Sequence, residues 1–103
     1  MTFYHATSRE NWEKIQEEGV LFGRRYIVDK TGKKVIKEVN RCTYLAVELE
    51  DAVPFGDVLL QVEYDPFKNK DGRSHNNYIE GCWQIRVYEP IPLEDVKLIH
   101  IFS

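Results

Sequence analysis

Apolar positions recur with two different periods along this chain. From Ser8 to Gly19 they are sparse and fall on one stripe. Trp12 and Ile15 share a face, while Glu10, Glu13, Lys14, Glu17 and Glu18 mostly take the other. That is the pattern of a helix with one apolar side. Thr7 and Glu10 have the spacing of a capping box, Ser8 is a second cap, and Gly19 supplies the left-handed residue that stops the helix. Elsewhere the period is two. In "DVLLQVEYD", Val58, Leu60, Val62 and Tyr64 alternate with Leu59, Gln61 and Glu63, the clearest strand in the chain. In "CWQIRVYE", Trp83, Ile85 and Val87 predict one common face. "TYLAVEL" reads as a further strand, a short first strand ends at His5, and "PIPLEDVKLIHIF" gives a proline-marked turn and a last strand from Val96.

Between these elements the polar positions punctuate. "RRYIVD" and "KVIKEV" flank "KTGK", where Gly32 supplies the turn of an exposed hairpin. "EDAVPFG" is a short connector in which Pro54 forbids a long helix. "PFKNKDGRSHNNYIEG" is a polar loop. A helix with a single apolar stripe packs on a sheet rather than in a bundle. The order strand, helix, then mostly antiparallel strands predicts an α+β fold with one N-terminal helix, residues 1–103 forming a single domain.

Composition narrows the function classes. The chain has 103 residues, 43% hydrophobic and 30% charged, which suits one small domain with a single core. A net charge of -3 argues against strong nonspecific nucleic-acid binding, which relies on neutralising phosphates. No apolar run approaches a membrane span, and the polar start "MTFYHATSRENW" does not read as a signal peptide, so the expectation is a cytoplasmic protein without membrane partners. Cys42 and Cys82 are too few for a disulfide framework and are expected as free, buried thiols. His5, His75 and His100 lack metal-ligand spacing. There is no GxSxG nucleophile elbow and no glycine-rich phosphate loop.

What remains is a set of single residues. His5 stands just before a helix start, where a core strand has no use for it, with Thr7 two residues on. Arg41 precedes Tyr44 at the start of a central strand. Glu80 and Gln84 bracket the start of "CWQIRV". Taken singly, His5 is a structural histidine bonded to a carbonyl, Thr7 a cap, Tyr44 a core aromatic and Arg41 a solvated strand end.

Taken in order, the stretches carrying these residues resemble the ADP-ribosyltransferase superfamily. "FYHATSRENWEKIQEEGVLFG" is similar to its first motif, on the histidine–tyrosine–glutamate side that includes the diphtheria toxin-like and poly(ADP-ribose) polymerase enzymes. "TYLAVELEDAVPFGDVLLQVEYD" resembles the second motif, a tyrosine-bearing strand, a short helical piece and a long strand. "CWQIRVYEPIPLEDVKLIHI" resembles the closing strands. RNA 2′-phosphotransferases share this layout. The resemblance implies a small split antiparallel sheet binding NAD, as substrate, across its cleft. His5 would bond a ribose hydroxyl with help from Thr7, and Tyr44 would stack on nicotinamide. Arg41, with Arg24 and Arg25, would be available to the pyrophosphate.

One position departs from that pattern. Counting back from "PIPLEDV", the family's glutamate falls near Gln84, an amide, and Glu80 is the nearest carboxylate upstream. The resemblance therefore implies one of two things. Either Glu80 acts and the domain transfers ADP-ribose to an acceptor, a protein among the candidates, or the domain is a degenerate transferase-fold module binding a nucleotide or protein partner. A third reading, an interaction domain with no nucleotide site, is supported if His5 and Tyr44 are buried and apart.

Overall fold

The fold is that of a computed structural model, which describes residues 1–23, 26–36, 41–67 and 81–102. β1 (Thr2–Thr7) leads through Ser8 into α1 (Arg9–Glu18), followed by the short β2 (Val20–Leu21). β3 (Tyr26–Val28) and β4 (Lys34–Ile36) form a separate hairpin. β5 (Thr43–Ala46) precedes α2 (Leu49–Ala52), a 3₁₀ turn over Val53–Phe55, and β6 (Val58–Glu63). β7 (Gln84–Val87), β8 (Ile91–Pro92) and β9 (Val96–Ile101) complete the chain. Among the described residues the main sheet has the order β7-β5-β1-β6-β9, with every pair antiparallel. The protein is α+β, and among the described residues no helix is long and apolar enough to cross a membrane.

The two faces of the sheet are covered unequally. One face holds Phe3, Leu45, Val58, Leu60, Val62, Ile85 and Val87, joined by Ile15 of α1, Leu21 and Ile91 in the main core. On the other face Ala6, Ala46 and Leu59 cluster with Ala52 of α2, the alanines leaving room for the helix. Short side chains let α2 sit close to the strands. Gly56, just after the 3₁₀ turn, makes a separate close approach to β1. A Cβ there would stand 2.6 Å from the Thr7 nitrogen, against backbone that has no room to yield. Its φ of 174° is extended backbone that any residue adopts, so the demand is for space alone.

Several local expectations are refined. Ser8, not Thr7, caps α1: its Oγ accepts the Asn11 N–H at 3.1 Å, and Thr7 is the buried last residue of β1. β1 therefore runs two residues past His5. Gly19 closes α1 at φ 81°. The "EDAVPFG" connector holds a second helix: α2 ends before Pro54, whose missing N–H suits the first positions of the tighter 3₁₀ turn. Trp83 does not share the inner face of Ile85 and Val87. β7 starts one residue later, and the indole is 52% exposed. Cys42 and Cys82 are free but only half-buried. The hairpin turns at Gly32 (φ 83°), where Asp29 Oδ1 accepts from the Thr31 and Lys33 N–H groups at 2.8 and 3.0 Å.

Candidate functional site

The site lies where the sheet stops being continuous. β1 pairs with β6 along its whole length, from Thr2↔Glu63 to Thr7↔Val58. With β5 it shares one register pair, Tyr4↔Ala46. Beyond that pair the strands part, and His5 bridges the gap. Its Nδ1 lies 2.7 Å from the Tyr44 carbonyl oxygen, replacing a ladder bond with a side-chain bond. A carbonyl only accepts, so Nδ1 carries the hydrogen and the neutral ring keeps Nε2 as an acceptor. Burial lowers the His5 pKa below its ordinary value and so favours that neutral form, while the bond to Tyr44 opposes it more weakly by favouring the protonated ring.

Two cavities flank the opening. One, of about 420 Å³, lies on the α2 side between Tyr4, Tyr44, Phe55, Trp83, Gln84 and Asp51, with Ala6, Ala46 and Ala52 as its floor. The floor follows from register: Tyr4, Ala46 and Gln84 are successive partners across three strands, and the alanine in the middle leaves the space. The other, of about 370 Å³, lies toward α1 and includes Thr7, Ser8, Asn11, Gly23, Cys42 and Thr43. His5, Ala6, Tyr44 and Phe55 line both, so the cavities adjoin at the opening.

The structure thus brings His5, Thr7, Tyr44 and Gln84 to one region. Tyr44 is 50% exposed although it sits in a central strand. Arg41 lines neither cavity. Its Nε donates to the Gly23 carbonyl at 2.7 Å, one terminal nitrogen reaches the Phe22 carbonyl and Glu18, and the guanidinium lies 4.2 Å over the Phe22 ring. It braces the segment that walls the α1-side cavity instead of facing a ligand. Glu80, Arg24 and Arg25 lie outside the described residues. Among the described residues no group of three or more His, Cys, Asp or Glu is placed to hold a metal ion.

Three cavity residues escape the sequence reading. Phe55 (65% exposed) and Asp51 lie in a short connector, and the alternation of "CWQIRVYE" puts Trp83 on one face with Ile85 and Val87. The available signal was an aromatic between proline and glycine in a short connector, where no strand or long helix buries it. Asp51 is the one formally charged side chain among the described residues lining the two cavities. Compared with protein-family models, curated proteins and solved structures, the chain matches none.

Proposed function

We propose that the chain is a nucleotide-binding domain of the ADP-ribosyltransferase type, with NAD as its substrate held across the opening between β1 and β5. The observation that carries this reading is the parted seam itself, bridged by the His5–Tyr44 bond and flanked by adjoining cavities of about 420 and 370 Å³. A dinucleotide is long and has two rings, and two joined cavities suit it. Neutral His5 offers Nε2 to a ribose hydroxyl. The half-exposed Tyr44 ring offers a stacking face for nicotinamide, a contact of about 1 kcal/mol beyond burial. The N-terminus of α1, at Ser8 and Asn11 beside the second cavity, favours the negative charge of a diphosphate. Thr7 stands at the same wall.

Gln84 favours a second reading. It lines the cavity where the resemblance calls for a carboxylate, and an amide bonds ribose without stabilising the positive charge that grows as nicotinamide leaves. On that reading the domain binds the nucleotide and transfers little. Two measurements decide. NAD or ADP-ribose at a hundred times its Kd stabilises a single-site protein by about 2.7 kcal/mol, a rise of roughly 10 °C in Tm for a domain of this size. Nicotinamide release is then followed for wild type, Gln84→Glu and Glu80→Gln. Gln84→Glu is expected to raise the rate about a hundredfold and Glu80→Gln to change it little. Loss of a robust wild-type rate in Glu80→Gln makes Glu80 the catalytic carboxylate. The absence of any thermal shift with either nucleotide removes the proposal.

A further inference from the structure

Strand β9 ends the main sheet, and among the described residues nothing pairs with its outer edge. It is six residues long, and every residue but Val96 is exposed. Leu98, Ile99 and Ile101, with Phe102 just beyond, keep 37–41% of their surface in water, so pairing with β6 does not bury them. Edge strands are ordinarily short, charged or covered, because their unpaired N–H and C=O groups template another strand. This one carries a single permanent charge, Lys97.

The hydrogen bonds show which residues of β9 face outward. Met1 and Tyr64 exchange both backbone bonds at 3.0 Å. Bonded and non-bonded pairs alternate along an antiparallel ladder, so Phe3↔Val62, His5↔Leu60 and Thr7↔Val58 are bonded pairs too. The intervening residues of β6 turn to β9, at Gln61↔Lys97 and Leu59↔His100, and the Phe102 N–H reaches the Asp57 carbonyl at 2.7 Å. Lys97, His100 and Phe102 therefore spend their backbone groups on β6, while Leu98 and Ile101 turn theirs outward. Between these two the register slips, which makes Ile99 an extra residue. The slip keeps Leu98 and Ile101 on one face of the sheet, opposite Leu60 and Val58.

We infer that this edge pairs with a second copy of the same chain, β9 against β9 across a two-fold axis, so that one sheet runs through both copies. The axis passes between Ile99 and His100. Leu98 of each copy then lies opposite Ile101 of the other, aliphatic against aliphatic on matching faces, and the outward N–H and C=O groups of both residues are satisfied. The two-fold arrangement closes on itself and leaves no further edge of this kind. Charge favours a copy over an unrelated strand. The same register sets Lys97 opposite Phe102, away from its own symmetry mate and toward Asp57, the β6-side neighbour of Phe102. Lys97 and Asp57 are both exposed, and among the described residues neither side chain has a hydrogen bond or an ion pair. Two such approaches of opposite charge arise in each dimer. One strand edge buries less than the ~1,200 Å² of a lasting complex, so the pairing is weak and concentration-dependent, with a Kd of about 100 μM. In the sheet order β6 and β1 separate this edge from the opening at β5, so the inference is independent of the nucleotide reading.

The test uses the full chain without nucleotide. Analytical ultracentrifugation from about 5 μM to about 1 mM should follow a monomer passing into a dimer and no further. Amide hydrogen exchange by NMR reads the register on the wild type. The Leu98 and Ile101 amides should gain protection as concentration rises, while those of Lys97, His100 and Phe102 are protected throughout. Ile101→Lys is expected to weaken the dimer at least about tenfold, and Val28→Lys, on the exposed hairpin, to leave it unchanged. Lys97→Glu should weaken it about tenfold, because each change counts twice in a symmetric pair, and adding Asp57→Lys should restore it. The thermal transition of each variant at low concentration checks its folding. A chain still monomeric at the highest concentration would overturn the inference, as would exchange at Leu98 and Ile101 that does not change with concentration. A dimer indifferent to Ile101→Lys, assembly beyond the dimer, or failure of Asp57→Lys to restore Lys97→Glu would overturn it equally.

Discussion

Strand β1 has two antiparallel neighbours, and the seams it makes with them differ in the extent of pairing and in exposure. Against β6 it is laddered over six residue pairs, and Phe3, Val58, Leu60 and Val62 seal the junction with no exposed surface. Against β5 it makes one pair, and the rest of the seam is held by an imidazole and lined by a half-exposed tyrosine. The closed seam buries apolar area and satisfies its backbone by repetition. The open seam leaves backbone to be satisfied by a side chain and leaves aromatic surface to water. Stability is concentrated in the first, and the proposed function places ligand binding at the second, so on that proposal substitutions at the two should separate folding from binding.

The largest effect is expected at the closed seam. Leu60→Ala removes a side chain with no solvent exposure from the middle of β6 and should cost about 2–5 kcal/mol, read from urea unfolding. A cost below that of an ordinary surface substitution would mean that the sheet is not sealed there. Next comes the close approach of the 3₁₀ turn to β1. Gly56→Ala pushes a methyl group into the Thr7 backbone and should cost about 1–3 kcal/mol. Because Thr7, Phe55 and α2 wall the cavities, the same variant should weaken NAD binding, a double loss that Leu60→Ala need not show.

His5→Ala should have the smallest effect on stability, about 1 kcal/mol for one hydrogen bond near neutral pH. Its pH dependence is more telling. Burial holds the folded His5 pKa below the unfolded value of about 6.5. As pH falls from about 6.5 toward the folded value, the unfolded chain takes up a proton that the folded chain refuses, so this group's contribution to stability falls. As pH rises through that window the contribution returns. Unfolding curves for wild type and His5→Ala across the window should therefore converge at the acid end. Parallel curves would show that the imidazole is not held neutral in the seam.

The elements of regular period, β6 of the closed seam among them, were legible in the sequence because each rests on a local signal. The alternation from Val58 to Tyr64, the last strand from Val96 and the glycine stop of α1 all follow from local periodicity or backbone preference. The open seam was legible only where a residue was chemically out of place, as His5 is beside a helix start. The parting of β1 from β5 depends on pairing between segments about forty residues apart, which no local pattern encodes. Phe55 and Trp83 were missed for related reasons. One hangs from a turn too short to show a period, and the other lies one residue outside the strand whose alternation it mimics. The brace made by Arg41 was not legible because it is set by three groups brought from the end of α1 and the segment after β2.

The central claim is that the open seam, and not another surface, takes the nucleotide. Amide and indole resonances followed by NMR during an NAD titration test it most directly. The account predicts shifts at His5, Tyr44, Gln84 and the Trp83 indole N–H, with Gln61 and Val62 of the closed seam unmoved. Shifts that instead gather along β6 and β9, or a spectrum unchanged at millimolar NAD, would contradict it.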